Sequence, residues 1–151
     1  MEPLESIKKL SQFKPYQMLG INNLEVLLKS MQPELVSGEF VFCTSVEPIV
    51  VDFLLSFKEN EGWTYILTRK KADELKLSYS TVWAMITLNV HSDLEAVGFL
   101  AALTPKLAAE GISVNVVSAF YHDHLFVPAA KKDQALAILK SVSEFTPGSE
   151  L

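Results

Sequence analysis

Two short runs hold most of the side chains able to do chemistry, His122-Asp123-His124 and, earlier in the chain, His91-Ser92-Asp93-Leu94-Glu95. Two histidines two apart on extended chain point the same way, and His91 is the only other histidine available to join them at a divalent cation. Such a site needs about three or four ligands. No Cys or Glu-x-x-His pattern completes the set, so the preferred reading is a tight hairpin turn, with Asp123 accepting backbone N–H bonds and the imidazoles bracing it. Nucleophilic catalysis has less support. Neither Cys43, the one cysteine, nor any serine stands beside a base in a recognisable motif. The six glycines are scattered at turns rather than gathered into a phosphate loop. No catalytic residue, metal ligand or cofactor is assigned.

The elements that position these residues run without a gap from Val82 to Leu139. Val82, Ala84, Ile86, Leu88 and Val90 alternate with Trp83, Met85, Thr87 and Asn89, which predicts a strand over Val82–Val90. Ser92 and Glu95 then stand at N-cap and N3 spacing, so each side chain would satisfy an orphan N–H at the start of a helix. Ala96, Leu100, Leu103 and Leu107 give that helix an apolar face over about Asp93–Glu110. Gly111 stands at its left-handed C′ position, and Pro105 predicts a kink. Ser113–Tyr121 alternates as a second strand, His122-Asp123 turns, and His124–Pro128 returns antiparallel. A last helix covers Lys131 to about Glu144 before Pro147-Gly148.

Before Val82 the plan is shorter. Residues 1–21 carry Leu4, Ile7, Leu10 and Phe13, either an extension or an accessory helix. Asn22-x-x-Glu25 caps a helix through Met31, which Gln32-Pro33 stops. Glu39–Ser45 reads as a strand, Glu47–Phe57 as a short apolar helix, Trp63–Thr68 as a strand and Arg69–Leu75 as a helix. Tyr65-Ile66-Leu67, Lys70-Lys71 and Leu75 recur as Phe126-Val127-Pro128, Lys131-Lys132 and Leu136, an offset of 61 residues. That self-similarity suggests a duplicated unit. The first copy is short by a helix and a strand, so the two halves must share a sheet or pack sheet to sheet. The second half is β-α-β-β-α, and one strand borrowed from the first closes a ferredoxin-like α+β sheet with both helices on one face.

Composition narrows the function. The chain has 151 residues, 49% hydrophobic and 21% charged, enough for one core or two small ones. A net charge of −5 argues against sequence-independent nucleic-acid binding, which needs a basic face. Trp83, Phe120, Tyr121 and Phe126 fall at strand spacing and suit a core or interface better than base stacking. No apolar run approaches the roughly 18 residues of a membrane span, and the first residues lack a signal-peptide core. A cytoplasmic protein is expected.

At Gly38-Glu39-Phe40-Val41-Phe42, His91-Ser92-x-Leu94-Glu95-Ala96-Val97-Gly98, Gly111-Ile112-Ser113-Val114-Asn115 and Tyr121 to Pro128, the sequence resembles the small tandem ACT-like domain proteins. The match runs from about Leu24 to about Val142 and leaves residues 1–21 outside. The resemblance implies two ferredoxin-like units side by side, a degenerate one over 22–78 and a fuller one over 79–146, with a tail at 147–151. It also implies a regulatory rather than catalytic role. ACT domains bind amino acids or similar small molecules at interfaces between paired units.

The expected function is therefore an amino-acid-binding regulatory module, which a homo-oligomer would suit. Candidate ligand-binding residues are His91, Ser92, Asp93, Glu95, Gly111, Ile112, Ser113, Asn115, His122, Asp123 and His124. A ligand ammonium is expected near Asp93 or Glu95 and its carboxylate at Gly111–Asn115, taken to lie at the same sheet edge. The alternatives are a metal-dependent enzyme using His122 and His124, or a structural self-association domain.

Overall fold

A computed structural model describes residues 20–144 of the chain. All but the last two residues of the 1–21 segment, and the stop at Pro147-Gly148, lie outside the described residues. The elements in order are α1 (Leu24–Ser30), β1 (Pro33–Leu35), β2 (Phe40–Ser45), β3 (Leu55–Lys58), β4 (Trp63–Thr68), α2 (Arg69–Glu74), β5 (Trp83–Leu88), α3 (Phe99–Ala109), β6 (Asn115–Ser118) and β7 (Asp123–Pro128). A 3-10 turn at Ala129–Lys131 then leads into α4 (Lys132–Glu144). Among the described residues no helix is long and apolar enough to cross a membrane.

All pairings between the strands are antiparallel, in the order β3-β4-β2-β5-β7-β6, with β1 also lying on β5. Two three-strand sets, β3-β4-β2 and β6-β7-β5, therefore meet back to back along their first strands. β2 touches β5 only at Phe40 and Trp83, whereas β1 pairs the other end of β5 from Leu35–Ile86 to Pro33–Leu88. β1 and β2 thus form one interrupted line beside β5, broken near Gly38, whose φ of +99° favours a residue without a Cβ. The fold is the expected α+β tandem of ferredoxin-like units with a shared sheet. The borrowed strand that closes the second unit is β1, in a stretch that the sequence offered only as a helix stop. Pro33 is tolerated there because it begins the strand.

Alternation assigns the faces. Toward the helices, Ala84, Ile86, Leu88, Leu125 and Val127 pack beneath Leu27 and Met31 at α1, Phe99, Leu103 and Leu107 of α3, and Ala135 and Leu139 of α4. In the first half, Val41, Cys43, Tyr65 and Leu67 pack with Ala72 of α2. On the opposite face, Phe40, Ile66, Met85 and Phe126 form a third cluster.

Several local expectations need correction. Residues 46–54 are not helical, and Leu55–Lys58 is a strand, because Leu55 and Phe57 pair with Ile66 and Thr64 of β4. The first half therefore lacks a helix but no strand. Corresponding strands, β3 with β6 and β4 with β7, are offset by 60 residues rather than 61. An odd error matters because a one-residue shift swaps sheet faces. With the offset of 60, Tyr65 matches Leu125 on the helix side. The first helix is capped by Asn23 and not Asn22, its Oδ1 accepting from Val26 N at 3.0 Å. β5 and β6 are both shorter than predicted, and the hairpin loop is Ala119–His122, since Ser118 pairs with Asp123.

Candidate functional site

The largest local correction falls on the strand-to-helix corner. Ser92 caps nothing, and α3 begins at Phe99 after Gly98, whose φ of +91° places it in the left-handed region. No side chain caps that start. The first-turn N–H groups of Phe99, Leu100 and Ala101 have no intrahelical acceptor, as at every helix start. Asp93 instead closes its own small turn, Oδ1 accepting from Glu95 N at 2.8 Å. Gly20 and Ile21 lie alongside, with Ile21 N donating to the His91 carbonyl and Asp93 N donating to the Ile21 carbonyl. A Cβ on Gly20 would run into the backbone of Ser92 and Asp93, so only glycine allows that approach.

Ser92 turns inward and donates to Asp123 Oδ2 at 3.0 Å, and Ser118 donates to Oδ1 at 2.6 Å. Asp123 is 5% exposed and belongs to β7 rather than to a turn, where it pairs with Leu88 on one side and Ser118 on the other. Among the described residues no basic side chain pairs with it. Between Asp123 and the start of α3 lies a cavity of about 170 Å³, lined by Ser92, Asp93, Ala96, Gly98–Ala101 and Ser118 among others. It therefore has a buried carboxylate on one wall and an open helix start on another.

The histidines do not converge. His122 Nδ1 lies 3.2 Å from the Val90 carbonyl, which assigns a proton to that nitrogen. His124 Nδ1 lies 2.9 Å from Thr87 Oγ1, on the face away from the helices. Their rings are 6.5 Å apart and nearly perpendicular, while His91 packs against Phe120 and Tyr121. Among the described residues no group of three His, Cys, Asp or Glu is placed to hold a metal ion. Burial first, and His122 second, push the His124 imidazole below its usual range, against a smaller opposing pull from Asp123.

The predicted residues thus divide. His91, Ser92, Asp93 and Glu95 share one end of the sheet with His122 and Asp123, with His124 one residue further along β7. Gly111, Ile112, Ser113 and Asn115 do not. Asn115 pairs with Phe126, three residues down β7 from Asp123, or about 10 Å. Gly111 ends α3, whose 11 residues span about 16 Å. It closes the helix as predicted: Gly111 N donates to the Ala108 carbonyl and Ile112 N to Leu107, with Ile112 sealed in the core. The expectation that one ligand bridges Asp93 or Glu95 and Gly111–Asn115 is therefore overturned, because β6 starts at the opposite end of the sheet from where β5 finishes. Ser118 and the helix start were missed. Gly98 immediately before Phe99 was the available signal.

Two ferredoxin-like units on a shared sheet, with a small cavity at a strand-to-helix corner of the second, define the α+β class of the chain. Residues 19–84 match one model of the ACT domain and residues 78–141 match another. A protein of unknown function from Vibrio cholerae, described as a possible transport protein, is 44% identical over 80% of this chain and 95% of its own, with a TM-score of 0.72. The chain belongs to the ACT-domain family and carries two such domains in tandem. A protein from Agrobacterium tumefaciens (15% identity, 75% of this chain and 89% of that one, TM-score 0.64) shares the fold. So does the ligand-free regulatory subunit of aspartate kinase from Thermus thermophilus (11%, 76% and 99%, 0.53). No curated protein matches. As a pair of ACT domains the chain is of the regulatory, ligand-binding type.

Proposed function

We propose that the chain binds a free amino acid in the corner cavity and acts by regulation rather than catalysis. The supporting observation is Asp123, a carboxylate 5% exposed beside a cavity, with two hydroxyl donors and no cation among the described residues. A buried charge is costly unless paired, and a ligand ammonium would supply the missing partner. The α-carboxylate would then face the open N–H groups of Phe99, Leu100 and Ala101, where the helix dipole favours an anion. This orientation replaces the one first expected, which relied on a capped helix. Leu94, Val97 and Phe120 are exposed at the same end, a rim on which a second copy of the chain would complete the site, as the family's paired units do. We retain 22–78 and 79–146 as the two units, with the first lending α1 and β1 to the second.

A panel of the twenty amino acids tests this reading. At 100 times its dissociation constant a ligand adds about 2.7 kcal/mol, which should raise the thermal midpoint by about 5–11 °C for a domain of this size. Asp123→Asn should weaken that ligand by about tenfold or more in calorimetry, as befits a charge-assisted bond. No rise above about 1 °C for any amino acid at saturating concentration would remove the proposal.

A further inference from the structure

We propose a second binding site, in the cleft on the sheet face opposite the helices, for a small uncharged aromatic or branched-aliphatic molecule with one hydrogen-bonding group. The proposal does not rest on the corner cavity. β3 and β6 are the outer strands of the six-strand path, and five strand spacings would hold them about 24 Å apart in a flat sheet. Yet Leu55 of β3 and Val117 of β6 pack against the same cluster, Phe40, Ile66, Met85 and Phe126. The sheet must therefore curl until its outer strands face each other across that cluster. Within the curl lies a cleft of about 180 Å³, walled by Leu54 and Leu55 on one side and by Val117 and Ala119 on the other. Ile66, Met85 and Phe126 also line it.

Burial of the cluster argues for a small occupant. Phe40, Ile66, Met85 and Phe126 are each under 10% exposed although α1–α4 pack on the other side, so the curl itself removes them from water. What remains is a ligand-sized cleft rather than a flat apolar face, and apolar cavities of about 150 Å³ accept benzene. The lining also excludes charge. Its one polar side chain is His124, held largely neutral at pH 7 by burial and by His122. Its Nδ1 is committed to Thr87, which leaves Nε2 as the ring's remaining hydrogen-bonding atom. A zwitterion would lose hydration here without gaining a charged partner. A phenol or an indole would bury its ring and address Nε2.

Para-cresol and toluene are the probes, followed by titration of methyl NMR signals in the full chain. Para-cresol should move the Met85, Leu55 and Val117 methyls and raise the thermal midpoint, while glycine leaves those methyls still. Val117→Phe, which fills the cleft from a half-buried edge position, should abolish the Met85 and Leu55 shifts and leave any response to amino acids at Asp123 intact. Leu54→Trp serves the same purpose from an exposed position on the opposite wall, away from the corner cavity, if the first variant fails to fold. His124→Phe should weaken para-cresol, relative to toluene, by about two- to tenfold, the loss of one neutral hydrogen bond. Unmoved Met85 and Leu55 methyls, or equal binding to the filled variants, would overturn the proposal. Methyl shifts that depend on protein concentration without a probe would assign the cleft to a second copy and overturn it too.

Discussion

The two halves share strand order but not their means of covering it. Between β5 and β6 the second half inserts α3, which sends Phe99, Leu103 and Leu107 into a core also served by α1 and α4. Between β2 and β3 the first half has only residues 46–54, from which Ile49 and Val51 pack partly against the sheet. Ile49 N donates to the Tyr65 hydroxyl at 3.0 Å and Leu54 N to the Ile66 carbonyl at 2.7 Å, two ties to β4 where the other half has a helix. Val46, Val50, Phe53 and Phe57 stay exposed. The tandem therefore pairs one half whose helix start borders the corner cavity with another that has no such helix. The fuller half in turn depends on the thinner one's chain for α1 and β1.

That dependence sets the largest expected effect. A fragment of residues 79–151 loses Leu27 and Met31 from its core and exposes the side of β5 that β1 covers. It should lack a cooperative unfolding transition and show poorly dispersed NMR signals. Cooperative melting of the fragment would mean that the second half needs nothing from residues before 79. Next in size is the contrast in cores. Leu103→Ala, at a position with no exposure, should cost about 2–5 kcal/mol in denaturant unfolding. Ile49→Ala, in the loop that stands in for a helix, should cost distinctly less because the site is only partly buried. Equal costs would show that the loop supports its half as α3 does.

The same contrast explains what could be read from the chain. Trp63–Thr68 was placed to the residue because a β-rich run is bounded by turn chemistry on one side and a helix on the other. The end of α3 was legible because Gly111 satisfies a local geometric demand. Its beginning was not. Ser92 and Glu95 have the spacing of a cap, but Ser92 gains more from Asp123, a partner far along the chain that no local pattern reveals. Residues 47–57 misled for a related reason. An apolar run of that length suits a helix or a buried strand, and the pairing with β4 that decided it is a tertiary contact. The candidate site was half legible: the corner and the Asp123 region meet, whereas Gly111–Asn115 belongs to the other end.

A smaller effect separates the halves at their glycines. Gly98 and Gly38 both have positive φ, so alanine at either should cost about 1–2 kcal/mol. Only Gly98 lines the corner cavity. Gly98→Ala should therefore also diminish the midpoint rise given by an amino-acid ligand, and Gly38→Ala should leave that rise unchanged. A loss of response in both would tie the ligand to overall stability rather than to the start of α3.

The smallest expected effect is a pH dependence confined to one half. All three histidines lie in the second half, and burial depresses the pKa of His124 in the folded chain. The sign follows from linkage. Below the unfolded value near 6.5, the unfolded chain takes up the proton first, so stability contributed above that pH is lost as pH falls toward the lower folded value. Acidification from pH 7.5 to 5.5 should thus destabilise β7 and its neighbours, with the opposing charge of Asp123 limiting the effect. His124→Gln, which keeps an amide within reach of Thr87, should flatten the profile. Protection from amide exchange, taken relative to the intrinsic rate at each pH, should fall in β6 and β7 more than in β3 and β4 over that interval. The first half has no histidine, and burial pushes its Cys43 thiol further upward from an ordinary value already above the window. Equal loss of protection in both halves, or an unchanged slope in His124→Gln, would locate the acid sensitivity in the carboxylates instead.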